Sequence, residues 1–373
     1  MIQKIGQNLL TLFLTLLLCS LVLEGTLRIQ GAGRTHTERY TYVKHTFYNP
    51  FLIFGPNIDR RFPQDHANDA VYNSQGFREA EEVPVEKPAG EYRLFALGGS
   101  STENLANGHD RHYCREAEVL LGNGVRCINA AKSGFSTLHT LIRLESDLLP
   151  FRPNMITVMH NVNDLTVNFF PADGRFNYGN QFFDDFFAPR FTNLQKSALR
   201  HSRAAVFLYR LWCQIKGRFF DEKIYTENGS YVTTTMQVLP GRFALPFAEV
   251  FRNQLKSIVA VAQAHGIRPV LMSQPAVFSE PMYALMFGHK EFNRRIKYPT
   301  LDEFQRVFSQ YNKIVADVAR AESVPFIDMQ RLMGQDPKHY NDMIHYSREG
   351  VEHFARIYAE NLRPLIVTGE ALS

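Results

Sequence analysis

The sequence predicts an α/β fold in three layers, α/β/α, with a five-stranded parallel sheet and one transmembrane helix before it. From about residue 92 onward, short apolar runs alternate with amphipathic stretches, which is the βαβ rhythm of a parallel sheet. Near the N-terminus, 19 consecutive residues carry no charge. The chain has 373 residues, 45% of them hydrophobic and 21% charged, so it can bury the core of a large globular domain.

The uncharged N-terminal stretch runs from Ile5 to Leu23. As a helix it extends over about 28 Å, close to the ~30 Å thickness of a hydrocarbon core. We predict a transmembrane signal anchor over residues 5–23, uncleaved because no small-x-small cleavage site follows it. The remainder contains no second stretch of this kind and is expected to lie on the periplasmic or extracellular side. Prolines punctuate residues 24–90, which are predicted to form a stalk and lead-in.

The elements of the predicted α/β domain, residues 91–366, follow in order. Strands are predicted at Tyr92–Leu97, Val125–Asn129, Met155–His160, Pro269–Ser273 and Val324–Asp328. Helices are predicted at Arg111–Leu121, Leu138–Leu149 and Phe247–His265, then from Leu301 and from about Arg348. Thr300 and Glu303 have the spacing of a capping box at the start of the helix from Leu301.

An insertion or cap is predicted at about residues 165–245, where the rhythm stops for longer than a simple connection requires. Residues 169–220 contain 14 aromatic residues among 52, including the only tryptophan, Trp212. These rings either form the insertion's own core or stack on sugars, line an acyl pocket or rest on a membrane. Trp212 is our candidate for a substrate contact in this region.

Charge and cysteine content exclude several classes of function. The chain has 41 basic and 37 acidic residues, with no Lys/Arg-rich run, so nucleic-acid binding has little electrostatic support. The four cysteines show no C-x-x-C or zinc-ligand spacing, and we predict neither a metal nor a cofactor. Cys114 and Cys127 could form a disulfide in an exported domain, although a pair of buried free thiols is the preferred interpretation.

Polar groups follow four of the five predicted strands. Gly98-Gly99-Ser100 comes after the first, Ser133-Gly134 after the second and Asn161-Val162-Asn163 after the third, while Asp342 and His345 lie beyond the fifth. Because the carboxyl ends of parallel strands share one edge, these groups are expected to lie close together. A serine, a glycine amide, an asparagine amide and an Asp–His pair are the components of an acyl-transfer site.

In this order the four motifs resemble those of the SGNH/GDSL hydrolase family over about residues 93–365. The resemblance implies a flavodoxin-like fold and a serine esterase without a cofactor. It also implies that Ser100 is the nucleophile, that Gly134 and Asn163 are oxyanion donors, and that Asp342 and His345 complete a triad. The segment Asn73–Arg78 is similar to a lead-in of membrane-anchored bacterial members.

Two positions depart from the family pattern. Gly99 stands where the family has Asp, and Asn161 stands where it has Gly. Neither position is a nucleophile, base or oxyanion donor, so the chemistry is expected to be retained. Asn161 is expected to line the substrate site and to narrow it. Its neighbour His160 either lines the substrate site as well or has a structural role.

The substrate has three interpretations at this stage. The anchor and the aromatic insertion favour an O-acyl ester, preferably O-acetyl, of an envelope or exported carbohydrate, with acyl transfer to a sugar as a variant. A lysophospholipid or other lipid ester is the alternative for an enzyme. A non-catalytic envelope protein that binds a glycan or a partner is the alternative from another class, but such a protein needs no serine placed with an Asp–His pair.

Overall fold

The computed structural model describes residues 2–32, 72–104, 111–122, 124–169, 202–208, 211, 225–227, 230–232, 238–287 and 298–366. Its central sheet has five parallel strands: β1 Tyr92–Gly98, β2 Val125–Asn129, β3 Met155–Met159, β4 Arg268–Met272 and β5 Phe326–Ile327. Their spatial order is β2-β1-β3-β4-β5, the flavodoxin-like order. The predicted fold class is therefore confirmed.

Helices cover both faces of the sheet. The α-helices of the described residues are α1 Ile2–Ile29, α2 Ser100–Glu103, α3 Tyr113–Leu121, α4 Thr137–Arg143, α5 Val162–Leu165, α6 Ala248–Ala264, α7 Glu280–Phe287, α8 Leu301–Ala321, α9 Met329–Met333 and α10 Arg348–Leu362. Alternate residues of β1 point to opposite faces. Phe95 and Leu97 join the core formed with α6 and α8, whereas Leu94 and Ala96 join the core formed with α3 and α10. This arrangement gives the three predicted layers.

The burial of the strands explains why they appear as apolar runs in the sequence. All seven residues of β1 and all five of β3 are buried, because a parallel sheet covered on both faces needs continuous apolar strands. The fifth strand is shorter than predicted. Only Phe326 and Ile327 pair with β4, opposite Leu271 and Met272.

The N-terminal helix α1 is longer than the predicted span at both ends. Its segment Gly6–Ile29 has a mean hydropathy of 2.0, and the leucines from Leu10 to Leu21 are exposed, so it is long and apolar enough to cross a membrane. Its C-terminal end contacts the insertion. The Glu24 carboxylate accepts hydrogen bonds from the Ser202 hydroxyl (2.9 Å) and the Ala204 amide (2.8 Å), and Arg203 donates to the Leu27 carbonyl (3.1 Å).

The lead-in differs from a stalk over its described part, residues 72–90. Phe77 is buried with its ring 5.3 Å from that of Phe95 and 5.2 Å from that of Phe151, between centroids. The Asn73 side chain accepts the Phe77 amide (3.0 Å) and so forms the turn that directs this ring into the core. Residues 72–79 therefore pack against the α/β domain.

Two local predictions need correction. Cys114 of α3 and Cys127 of β2 form a disulfide, so the preference for free thiols was wrong. At the start of α8, the Thr300 hydroxyl accepts the Glu303 amide as predicted. The Glu303 carboxylate, however, accepts the Phe243 amide (2.7 Å) and pairs with Arg306, so the reciprocal half of the capping box is not formed.

Most of the predicted insertion, including Trp212, lies outside the described residues. The described parts include a 3-10 turn, Thr166–Phe169, directly after α5. Tyr225–Glu227 pairs antiparallel with Ser230–Val232, and Val238–Leu239 pairs parallel with Tyr298–Pro299.

Candidate active site

Ser100 is the first residue of α2 and follows β1 directly. The turn that presents it contains two glycines with little room for a side chain. A Cβ at Gly98 would overlap the Thr102 hydroxyl, and a Cβ at Gly99 would overlap the Asn163 amide nitrogen. The sharp turn thus places the Ser100 hydroxyl at the carboxyl edge of the sheet.

Asp342 and His345 lie on the loop between α9 and α10. A bridge between Tyr340 and Tyr346 closes this loop, and the Asn341 amide donates to the His345 carbonyl (2.7 Å). Asp342 Oδ1 accepts the amides of Ile344 and His345, both at 2.9 Å. The carboxylate is therefore oriented by its own loop before it meets the imidazole.

The three side chains form one hydrogen-bonded chain. His345 Nδ1 lies 2.6 Å from Asp342 Oδ2, and His345 Nε2 lies 2.7 Å from Ser100 Oγ. Residues separated by 245 positions are thus in contact. This is the geometry of a serine nucleophile, its general base and the carboxylate that orients the base.

Charges within this group shift the pKa of both titratable members. Burial lowers the pKa of His345, but the charge of Asp342 and the hydrogen bond to it, with a contribution from Glu103, outweigh that effect and raise it. Burial raises the pKa of Asp342, but His345 and the two loop amides outweigh burial and lower it. The carboxylate therefore stays ionised, and the imidazole is a stronger base than usual.

Gly134 and Asn163 come from the loops after β2 and β3. Gly134 has a φ of 80°, in the left-handed region that favours glycine. Asn163, on α5, donates from Nδ2 to the carbonyl of Phe135 at 2.8 Å, which joins the two loops. The glycine at position 99 allows this amide to approach the turn before Ser100.

A recess of about 200 Å³, partly open to solvent, lies beside Ser100. Its lining consists of Gly99, Ser100, Ser101, Met159, His160, Asn161, Val162, Asn163 and Gln274. The predicted nucleophile, one predicted oxyanion residue and both predicted substrate-binding residues of the third strand end thus border one space.

Asn161 and His160 line the recess, and their bonded polar atoms are directed into the protein. Asn161 is 1% exposed and donates from Nδ2 to the Phe308 carbonyl (2.9 Å) and to Asn312 Oδ1 (2.7 Å), both on α8. His160 Nε2 lies 2.7 Å from the Thr140 hydroxyl. Burial, with a smaller effect from His139, lowers the pKa of His160 to about 3, so this ring is neutral. These contacts hold one wall of the recess in place, and a direct contact of either side chain with substrate stays a prediction.

Gln274 is a site residue that the sequence analysis missed. It follows the fourth strand, whose end was not assigned a polar group. Its Nε2 donates to the Ser101 hydroxyl (2.9 Å), and its Oε1 accepts the Val162 amide (3.0 Å). Gln274 therefore ties α2 to α5. The signal was present, because Ser273 and Gln274 are polar residues at the carboxyl end of an apolar strand.

Two further carboxylates lie near the site. Asp164 accepts hydrogen bonds from the amide (3.0 Å) and the hydroxyl (2.6 Å) of Thr137, at the start of α4. Asp328 accepts the Ser273 hydroxyl (2.9 Å) and caps α9. Both carboxylates support the carboxyl edge of the sheet.

The sequence profile of the GDSL-like Lipase/Acylhydrolase family matches residues 96–353, more than half of the chain, and the match includes all four motifs. The chain belongs to this family. The GDSL protein is accordingly a hydrolase of the esterase type, and the Ser100, Asp342 and His345 cluster is its candidate catalytic centre.

The GDSL protein is also similar to solved structures of low sequence identity. A GDSL-like lipase from Bacteroides thetaiotaomicron has 14% identity and a TM-score of 0.41, over 75% of this chain and 92% of that one. Axe2, an acetylxylan esterase from Geobacillus stearothermophilus, has 17% identity and a TM-score of 0.41, over 73% and 95%. The lipase/acylhydrolase from Enterococcus faecalis has 13% identity and a TM-score of 0.40, over 74% and 97%. No curated protein matches the chain.

Proposed function

We propose that the GDSL protein is a membrane-anchored serine esterase that hydrolyses O-acyl esters, chiefly O-acetyl esters, of an envelope or exported carbohydrate. The observation that carries the serine mechanism is the hydrogen-bonded chain from Asp342 through His345 to Ser100, with distances of 2.6 and 2.7 Å. A glycan-binding or partner-binding protein would not need this arrangement.

The mechanism follows from the geometry. Neutral His345 takes the proton of Ser100 through Nε2 as Oγ attacks the ester carbonyl, and Asp342 stabilises the imidazolium that forms. The imidazolium then protonates the departing alcohol, and the acyl group remains on Ser100. Water, activated by His345, attacks this acyl-enzyme and releases the carboxylic acid. Each cycle consumes one water and returns the proton to the serine.

The negative charge that develops on the carbonyl oxygen needs donors that are already in position. In our proposal these are the backbone amides of Ser100 and Gly134 and the side-chain amide of Asn163. The bond from Asn163 to the Phe135 carbonyl uses one of its two N–H groups and holds the amide in place. Each donor of this kind is worth about 10²–10³ in rate.

The walls of the recess support a short acyl group. The recess has a volume of about 200 Å³, open side included. Asn161 and His160 are fixed by bonds to α8 and α4 and cannot move aside to admit a longer chain. An acetyl group fits such a wall, whereas each added methylene would clash with it.

The proposed location outside the cytoplasm rests on two features. Helix α1 is long and apolar enough to cross a membrane. The disulfide between Cys114 and Cys127 belongs to an oxidising compartment such as the periplasm or the extracellular space. Acylated glycans of the envelope or of exported polysaccharides are available to an enzyme held there.

A panel of esters from acetyl to octanoyl, presented to the purified full-length protein, tests the substrate. We expect kcat/KM to be highest for acetyl esters and to fall steeply from butyryl onward, with Ser100→Ala as the inactive control. A steady rise of kcat/KM towards octanoyl esters would contradict a carbohydrate ester and favour a lipid ester as the substrate. No labelling of Ser100 by a fluorophosphonate would favour the non-catalytic binding protein.

The role of Trp212 stays a prediction. If its ring stacks on sugars, Trp212→Ala should impair hydrolysis of an acetylated polysaccharide and spare that of a small chromogenic acetate. Equal losses on both substrates would contradict a role in holding the polymer.

A further inference from the structure

We propose that Glu103 is a positioning residue. Together with Tyr72 and Lys132, it holds the loop that contains Gly134, here called the oxyanion loop, against α2, the helix that begins at Ser100. The proposal rests on the roles proposed above for Ser100 and Gly134. Glu103 ends α2, three residues after Ser100, and Lys132 and Ser133 directly precede Gly134. Tyr72 belongs to the lead-in, outside the four motifs.

The Glu103 carboxylate joins three segments of the chain. Its Oε1 accepts the Tyr72 hydroxyl at 2.6 Å and lies 3.8 Å from Lys132 Nζ. Its Oε2 accepts the backbone amide of Ser133 at 2.7 Å and also the Ser133 hydroxyl. Ser133, the residue before Gly134, is thus fixed directly to the helix that carries Ser100.

Burial makes this arrangement costly, which argues for a purpose beyond stability. Glu103 is 0% exposed and Lys132 is 1% exposed. Two charges removed from water lose much of their hydration, and apolar side chains of similar size often stabilise such a site as well or better. Lys132 Nζ also lies 3.4 Å from the centroid of the Tyr72 ring, a cation–π contact that holds the ammonium in place.

The lead-in also fixes the backbone at the end of α2. Arg78, also fully buried, donates from Nη1 to the carbonyls of Glu103 and Asn104, the last groups of α2. Carbonyls at a helix C-terminus have no partner within the helix, and a cation there is stabilising. Tyr72 and Arg78 therefore fix the side chain and the backbone of the same residue, Glu103.

Glu103 also acts on the base electrostatically. Burial lowers the pKa of His345 and Asp342 raises it, and the negative charge of Glu103 raises it further. The charged or titratable groups around Glu103 are Tyr72 and Arg78 of the lead-in, Lys132 of the oxyanion loop, Arg143 of α4 and His345. Replacing the carboxylate by an amide removes the negative charge and leaves the shape nearly unchanged.

The test compares Glu103→Gln with Glu303→Gln in the full-length protein. Glu303 is the matched control, because it is buried, accepts a backbone amide and pairs with a cation, but its partners Phe243 and Arg306 do not border the recess. For Glu103→Gln we expect kcat on an acetyl ester to fall about 10–100-fold with KM nearly unchanged, as for a loss of transition-state stabilisation. We also expect the acid limb of kcat/KM to move to lower pH. Glu303→Gln should change neither.

Tyr72→Phe keeps the proposal testable if Glu103→Gln does not fold. It removes the 2.6 Å hydrogen bond but retains the ring beneath Lys132. We expect kcat to fall about 2–5-fold with KM unchanged, in line with one lost hydrogen bond. Glu103→Asp should recover part of the activity and the wild-type pH limb, because it restores the charge.

The rate of fluorophosphonate labelling at Ser100 provides a readout that needs no ester substrate. If the wild-type protein is labelled but hydrolyses no acetyl ester, the proposed substrate is contradicted. Labelling of Glu103→Gln that is slower than that of the wild-type protein would still support the positioning role of Glu103. The proposal would be overturned if folded Glu103→Gln kept the kcat, the acid limb and the labelling rate of the wild-type protein. It would also be overturned if this variant lost only thermal stability.

Discussion

At the scale of single residues, the protonation of His345 sets the pH dependence of the reaction. The base must be neutral, and its pKa is raised above the ordinary value of 6.5. Activity is therefore absent below the raised pKa and appears as pH increases through it. We expect the acid limb of kcat/KM for an acetyl ester, measured from pH 5 to 9, to have its midpoint above 6.5.

Asp342→Asn tests the cause of that shift. Without the carboxylate charge the pKa of His345 falls, so the midpoint of the acid limb should move to lower pH. Turnover should drop by about 10⁴, because the amide no longer holds the correct imidazole tautomer. An unchanged midpoint in the variant would show that Asp342 does not raise the pKa of the base.

Gly99 leads to a second prediction at this scale, since restoring the usual residue of the family should reduce activity. A Cβ at position 99 would overlap Asn163 Nδ2 and lie 3.2 Å from the Phe135 carbonyl. We expect Gly99→Ala and Gly99→Asp to displace the Asn163 amide and to lower kcat about 10²–10³-fold, the value of one oxyanion donor.

A double-mutant cycle provides the control for Gly99. If the glycine serves to make room for Asn163, Gly99→Ala should cost little once Asn163 has been replaced by Ala, and the two losses should not add. Full additivity of the two losses would assign Gly99 a role independent of that amide.

Motifs and strand ends in the sequence predicted which residues come together at the candidate site, but not the contacts that orient His160 and Asn161. Asp342 and His345 are three positions apart, and Ser100 follows a strand, so motif and rhythm sufficed. The directions of His160 and Asn161 depend on Thr140 and Asn312, which lie 20 and 151 positions away. No local pattern reports those contacts.

At the scale of elements, the first turn of α10 fits closely against the catalytic loop. A Cβ at Gly350 would overlap the carbonyl of His339, whose chain leads to Asp342 and His345. Gly350→Ala should therefore push the loop away and lower both activity and the free energy of unfolding, the latter by about 1–3 kcal/mol as for an overpacked site. Glu349→Ala, on the exposed side of the same turn, is the control and should stay within about 0.5 kcal/mol. Thermal unfolding and kcat/KM measure both effects.

Helices and strands were predictable where their hydrophobic pattern was long and continuous. The apolar runs of β1 to β4 and the amphipathic pattern of α6 and α8 placed those elements within a few residues. The lead-in has no period, so nothing in its composition indicated that Phe77 enters the core or that Arg78 caps α2. The partner of Glu303, Phe243, lies 60 positions away, and hence the capping box was only half correct.

At the scale of the whole molecule, the disulfide links a helix to an edge strand of the sheet. Cys114 and Cys127 are 13 positions apart, a separation for which loop-closure entropy gives about 3 kcal/mol. Replacing both by Ala should lower the melting temperature of this large domain by about 6–12 °C. A reductant should lower the wild-type melting temperature similarly and leave the variant unaffected. If the reductant lowered the melting temperature of both proteins equally, the disulfide between Cys114 and Cys127 would be contradicted.

The anchor gives the last prediction. The C-terminal end of α1 packs against residues 202–208, with Leu27 only 5% exposed and with two hydrogen bonds to the Glu24 carboxylate. A signal peptide removed after export would leave these contacts of the insertion without a partner. We therefore expect α1 to remain in the mature protein, which should stay in the membrane fraction during carbonate extraction.

The proposed location of the domain outside the cytoplasm has a test of its own. With the catalytic domain outside the cytoplasm, a protease added to intact spheroplasts should digest a C-terminal tag, and thiol trapping in whole cells should find Cys114 and Cys127 oxidised. Mass spectrometry of the N-terminus provides the deciding measurement, since a mature chain that begins near Gly33 would show cleavage and refute the anchor. A protected tag and reduced cysteines would instead place the domain in the cytoplasm, where an exported glycan cannot be its substrate.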